Sequence, residues 1–143
     1  MDGRSVPWCN PHMPHEHPVR IYYEDTDHSG IVYHANYLKY FERAREHVLD
    51  PDELVRMFEE DGIGFVVYKI EMHFKAAAVH GDVLTIRSVV ESGSRYRVVF
   101  DQSVWRGDTL LVQATIQLAC VDPNGKLVPV PDSVMTGIED QNG

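Results

Sequence analysis

The sequence of 143 residues contains only two cysteines, Cys9 in a proline- and histidine-rich lead and Cys120 near the end of a predicted strand. Two cysteines in these positions do not make a disulfide framework, and they indicate a reducing compartment. The N-terminus also lacks the basic region and the apolar run of a secretory signal. We therefore expect a cytoplasmic protein.

Long apolar runs and an excess of positive charge are absent as well. No stretch approaches the ~18 apolar residues that span a membrane, so we expect no integral membrane segment. The formal net charge is -9. Nucleic acid is not an expected partner, because its binding needs a basic surface that displaces counterions. A small anionic ligand stays open, since a few local arginine or lysine side chains can bind phosphates.

The apolar residues that are present are enough for one core. They make up 43% of a chain of single-domain length. We divide the chain into a flexible lead over residues 1–17, a folded domain over 18–134 and a tail over 135–143. The lead contains Pro7, Pro11, Pro14, His12, His15 and His17. A metal site there is the alternative reading, but the spacing fits no compact site.

The centre of the chain is the stretch VRIYYEDTDHSGIVYHANYLKYFERARE, residues 19–46. Residues 19–25 alternate as a strand does, and residues 25–30 form an acidic turn that ends in glycine. A helix follows from Ala35 or Asn36, with Asn36 as its N-cap. Its apolar residues recur at helical spacing, so one face is expected to be buried. Titratable side chains concentrate beside this helix start, where chemistry is expected.

A second helix is predicted from Asp50 as N-cap to Gly62, with Leu54, Val55 and Phe58 as its buried side. From Ile63 onward the apolar residues alternate. The first strand places Val66, Tyr68, Ile70, Met72 and Phe74 on one face. Further strands are predicted over about 83–91, 95–105 and 109–121, joined by hairpin turns. The expected class is α+β, with an antiparallel sheet wrapped around one long central helix.

The segment from Tyr22 to Glu46 resembles the signature of the hotdog-fold acyl-CoA thioesterases. The specific part is Asp-x-x-Gly-Ile-Val-Tyr-His, from Asp27 to His34. It is similar to the branch that includes 4-hydroxybenzoyl-CoA thioesterase and the Tol-Pal-associated (YbgC-type) thioesterases. The stretches AAAVHGDVLTI and LACVDPNGKLVPVP also look like that branch, and the order of elements agrees over roughly residues 18–134.

The resemblance implies a site. Asp27 matches the catalytic carboxylate of the family, and the backbone N–H of His34 matches the group that polarises the thioester carbonyl. Tyr23 and the His34 side chain match residues counted with the site in the closer subfamily. The resemblance also implies an acyl-CoA substrate and a homodimer or homotetramer with sites between subunits.

General chemistry agrees with this assignment. A thioester carbonyl becomes an oxyanion when it is attacked, and a helix N-terminus offers free N–H groups to hold that charge. A carboxylate can attack directly or act as a base on water, and the residues leave both routes open. No metal or cofactor is needed.

Several other interpretations stay open. A hotdog module could bind an acyl carrier or a partner protein without turnover, and a hydratase on this fold could recruit His34. Asp25 is expected to be structural, hydrogen-bonding the turn backbone. Arg87, Arg95 and Arg97 on neighbouring strands are candidates for the phosphates of coenzyme A.

Overall fold

The computed structural model describes the backbone of residues 14–142 and the side chains of residues 14–138. Cys9, His12 and the other residues of the predicted lead up to residue 13 lie outside this range. The regular elements, in chain order, are β1 (His15–Arg20), a short 3₁₀ turn (Tyr23–Asp25), α1 (Asn36–Leu49), α2 (Pro51–Asp61), β2 (Gly64–Phe74), β3 (Val83–Ser94), β4 (Arg97–Arg106), β5 (Thr109–Val121) and α3 (Asp132–Asn142).

The five strands form one antiparallel sheet in the order β1-β3-β4-β5-β2. The apolar stripe of α1 is buried against the inner face of this sheet in a single hydrophobic cluster. Tyr40 and Phe41 from the helix and Phe100 and Ile116 from the sheet are among its largest buried side chains. The predicted α+β class and the antiparallel sheet around one central helix are confirmed.

A buried polar network also fastens α1 to the sheet. The guanidinium of Arg45 donates to the side-chain oxygen of Gln102 at 3.1 Å. The amide nitrogen of Gln102 donates to the hydroxyl of Ser88 at 2.9 Å and to the backbone carbonyl of Phe41 at 3.1 Å. All three polar side chains are buried, so these hydrogen bonds replace those lost to water and fix the position of α1.

The prediction of which β2 side chains share one face of the sheet is wrong for the first half of the strand. The pairing with β5 shifts between Val67 and Lys69, so Tyr68 is the extra residue of a β-bulge. An extra residue reverses the alternation of side chains, because the period of a strand is two. Val66 and Tyr68 therefore lie on the outer face, whereas Ile70, together with Met72 and Phe74, lies on the inner face.

The ends of the chain also differ from the prediction. β1 begins at His15, inside the predicted lead, and pairs with β3 from that residue. It ends at Arg20 rather than continuing to residue 25, because local hydrogen bonds turn the chain at Tyr23–Asp25. The predicted tail is the helix α3, which buries Val134 and Ile138 against the core. The bounds of the folded domain as such stay a prediction.

The second helix agrees with the prediction at both ends but not on its buried side. The Asp50 side chain caps it by accepting from Asp52 N–H, and Gly62 ends it in the left-handed region at φ 70°. Its buried residue is Met57. Val55 is 55% exposed and Phe58 is 67% exposed, so the prediction that both are buried is wrong for the single chain.

Candidate active site

The turn that carries Asp27 is closed by its own backbone. Asp27 N–H donates to the Ile31 carbonyl at 2.8 Å, and Gly30 N–H donates to the Asp27 carbonyl at 3.0 Å. Gly30 adopts φ 85°, a conformation that glycine takes without strain. Asp27 itself is half-buried, and its Oδ1 accepts Ser29 N–H at 2.8 Å. Its Oδ2 accepts no hydrogen bond from the described residues and is available for chemistry.

Asp25 links this turn to the start of α1. Its carbonyl accepts Tyr33 N–H at 3.0 Å and the side-chain amide of Asn36 at 2.8 Å. Its carboxylate accepts Tyr22 N–H at 2.7 Å. These contacts agree with the structural role predicted for Asp25, and they hold the acidic turn against the helix start.

The helix start leaves backbone donors free. α1 begins at Asn36 with Ala35 as its N-cap, and no side chain among residues 14–138 caps it. The prediction that Asn36 is the N-cap is therefore wrong, because its amide bonds Asp25 instead. The N–H of His34 donates to no group among residues 14–142. A free N–H at the positive end of a helix is suited to hold a developing negative charge.

The side chains of His34 and Tyr23 both lie at the surface of the single chain. The His34 ring packs on Tyr33 with centroids 4.6 Å apart. Tyr23 is 78% exposed, and its ring contacts that of His80 at 5.9 Å. The structure thus places both predicted side chains at the edges of the strand-to-helix segment rather than in a closed pocket.

The loop over residues 75–82 is a part of the site that the sequence interpretation did not assign. Val32 N–H donates to the Ala78 carbonyl at 2.9 Å, and Ile31 forms an isolated bridge with Val79. Asp82 holds the loop by accepting from Val79 N–H and from the Arg106 guanidinium, both at 2.9 Å. The sequence signal for this loop was the resemblance of AAAVHGDVLTI to the family, which did not predict that the loop contacts the Asp27 turn.

The arginines predicted to bind phosphates do not form one cluster. Arg87 pairs with Glu16 at 3.0 Å and lies over Trp105. Arg95 and Arg97 sit at the other end of the sheet, each over a tyrosine ring. Arg97 pairs with Ser94, which lies seven residues from Arg87 along β3, and a strand of that length, about 23 Å, is too long for one phosphate to bridge.

The part of the chain that the structure describes extends over residues 14–142. It contains no helix that is long and apolar enough to cross a membrane. It also contains no group of three or more His, Cys, Asp or Glu side chains arranged to hold a metal ion.

The fold and this turn-and-helix arrangement define a class. The sequence profile of the Thioesterase-like superfamily matches residues 21–138, and the chain belongs to that superfamily. A 1,4-dihydroxy-2-naphthoyl-CoA thioesterase from Synechocystis superimposes with a TM-score of 0.81 at 25% identity, covering 87% of this chain and 95% of the other. The predicted hotdog fold is confirmed.

Individual relatives narrow the class. The acyl-CoA thioesterase YbgC of Haemophilus influenzae is 40% identical over 115 residues, which cover 79% of this chain and 84% of the relative. The acyl-CoA thioester hydrolase YbgC of Escherichia coli is 38% identical over 108 residues, covering 74% and 81%. The predicted family and the predicted class of enzyme are confirmed by these matches.

Proposed function

We propose that the protein hydrolyses an acyl-CoA to a carboxylic acid and coenzyme A, with Asp27 as nucleophile or general base and the His34 N–H as the oxyanion site. The observation that carries this proposal is the half-buried Asp27, with one carboxylate oxygen free, on a turn fastened to a helix start whose N–H is also free. The names of the relatives support the substrate class.

The chemistry needs only these two groups. In the direct route, Asp27 Oδ2 bonds to the carbonyl carbon, the thiolate of coenzyme A leaves, and water hydrolyses the mixed anhydride. In the other route, Asp27 takes a proton from the water that attacks the carbonyl. In both routes the carbonyl oxygen gains negative charge, which the His34 N–H at the positive end of α1 stabilises.

The side chains of Tyr23 and His34 act in this proposal as supporting groups. Both are exposed in the single chain, so the site needs a further surface to enclose the substrate and exclude water. A second copy of the chain supplies that surface. The proposed oligomer is a homodimer or a homotetramer with sites between subunits.

The edge strand β2 supports this assembly. β2 lies at the end of the sheet and leaves one row of backbone groups unpaired within the described chain. Val67, Ile70 and Phe74 on its inner face are 40%, 43% and 54% exposed. Leu38 of α1 lies beside Val67 and Ile70. An unpaired edge with apolar side chains is suited to pair with the same edge of a second copy. A cytoplasmic location stays a prediction from the sequence.

The test is thiol release from short, long and aromatic acyl-CoAs, with Asp27→Asn compared with the wild type. Asparagine keeps an oxygen for Ser29 N–H, so the turn is preserved while the nucleophile or base is lost. We expect kcat to fall by at least about 100-fold. Asp108→Asn, the same change in the exposed β4–β5 turn, serves as control and is expected to be neutral.

Two outcomes of this test contradict the proposal. If Asp27→Asn hydrolyses acyl-CoA as fast as the wild type, Asp27 is neither the nucleophile nor the general base. No release by the wild type from any acyl-CoA favours the module that binds an acyl carrier or a partner protein without turnover. Thiol detection is not disturbed by Cys120, because burial raises its pKa to about 11.

A further inference from the structure

A polar groove of about 440 Å³ lies between β1 and the first half of α1. Three of its lining residues are cationic: Arg20 at the end of β1, and Lys39 and Arg43 one turn apart on α1. All three side chains are exposed. None forms an ion pair or a side-chain hydrogen bond with a described residue, although the chain as a whole carries a net charge of -9.

Neither of the two carboxylates in the groove forms an ion pair with these cations among the described residues. Asp25 instead accepts Tyr22 N–H at 2.7 Å. Glu24 is exposed and makes no ion pair within residues 14–138. The three cations therefore outnumber the carboxylates and have free donors, which is the arrangement that binds a multiply charged anion such as a phosphate ester.

The groove lies beside the candidate active site. Asp25 and Asn36 line it, and the same two residues hold the Asp27 turn against the start of α1. From Asn36 to Arg43 the groove follows α1 for about 10 Å. A ligand whose phosphates lie in the groove can therefore reach the Asp27 turn through a flexible arm that carries the thioester.

We infer that this groove binds the nucleotide phosphates of coenzyme A through Arg20, Lys39 and Arg43. The inference rests on the proposed thioesterase function and adds to it the place where the carrier end of the substrate is held. The long pantetheine arm separates the phosphates from the thioester, so the cations bind the substrate without touching the reacting atoms. They raise affinity and leave the chemical step unchanged.

The test compares two thioesters of the same acyl group, one on coenzyme A and one on pantetheine, which carries no phosphate. The variant is the triple change Arg20→Gln, Lys39→Gln and Arg43→Gln. We expect KM for the acyl-CoA to rise by about tenfold or more, since hydrogen bonds between charged groups are lost. KM for the acyl-pantetheine and kcat for both are expected to stay unchanged.

A control triple removes the same charge elsewhere. Arg87→Gln, Arg95→Gln and Arg97→Gln lower the net charge by the same three units at positions outside the groove, and we expect KM for acyl-CoA to change less than twofold. Glu24→Gln removes the opposing carboxylate, and it is expected to lower KM for acyl-CoA only. Equal effects of the two triples, or equal effects on both thioesters, would overturn the inference.

The experiments distinguish an error in the inferred phosphate site from an error in the proposed thioesterase function. If the wild type hydrolyses neither thioester, the proposed function fails, and the groove is tested by calorimetric titration with adenosine 3′,5′-bisphosphate. Binding by the wild type that is lost in the groove triple supports the phosphate site. No binding, or equal binding by both proteins, overturns it.

Discussion

The buried network around Gln102 gives a quantitative prediction about stability. Gln102→Met keeps the side-chain volume nearly constant, so no large cavity is expected. It removes the acceptor of the Arg45 guanidinium and the donor to Ser88 and to the Phe41 carbonyl. Arg45 is 7% exposed, and burial lowers its pKa, but a guanidinium stays charged.

The magnitude follows from the three lost hydrogen bonds. The one to the buried charge contributes about 2 kcal/mol and each of the other two about 1 kcal/mol, so the free energy of unfolding should fall by about 4 kcal/mol. Urea denaturation at one fixed protein concentration measures this loss, with the slope m unchanged. Gln113→Met on the exposed part of β5 is the matched control and should change the free energy by less than about 0.5 kcal/mol.

A double variant separates the cost of leaving the Arg45 charge buried without a partner from the cost of lost packing. In the double variant Arg45→Met, Gln102→Met no cation is buried, so the double variant should be more stable than Gln102→Met alone. If the two losses simply add, or if Gln102→Met costs less than about 1 kcal/mol, the network does not hold α1 in the way described.

Two further predictions concern pH and assembly. Burial and the neighbouring His47 hold the pKa values of His15 and His17 below the ordinary 6.5, with Arg43 also lowering that of His17 and Glu16 opposing the shift at His15. The unfolded chain then binds more protons than the folded chain, so thermal stability should fall as pH drops below about 6.5. The fall should be smaller in His17→Gln. An unchanged Tm between pH 7.5 and 5.5 would contradict this. Ile70→Glu places a charge on the exposed β2 edge and should convert the proposed oligomer to monomers in light scattering, with thioesterase activity lost, whereas Lys69→Glu on the outer face should not.

The parts of the fold that could be predicted are those in which one local pattern decides the structure. β5 was predicted over residues 109–121 and is observed over Thr109–Val121, because turns bound it on both sides and the register shift against β4 at Trp105 leaves its ends unchanged. The face of β2 could not be predicted, because the bulge at Tyr68 depends on pairing with β5. α3 was missed because Gly137 weakens the local helix propensity, and burial of Val134 and Ile138 supplies what propensity does not.

The candidate site likewise contains residues that a local pattern predicts and contacts that no local pattern predicts. Asp27 and His34 were found because they belong to one short motif, although their roles stay proposals. The contact between the Asp27 turn and the loop at Ala78 joins residues more than forty positions apart, and no local pattern contains it. The groove cations were missed for this reason too, since Arg20 and Arg43 are neighbours only after β1 packs beside α1.

The central helix combines three functions on three faces, and this makes them separable by experiment. Its start presents the free N–H of His34, its buried side holds the core through Phe41 and Arg45, and its β1 side carries Lys39 and Arg43. A change on the buried side should lower stability before it changes KM, because it acts through the packing of the whole helix. A change at Lys39 or Arg43 should alter KM for the coenzyme A substrate at constant stability, because both side chains are exposed and unpaired within the described chain. If stability and KM always changed together along α1, the assignment of separate roles to its faces would be wrong.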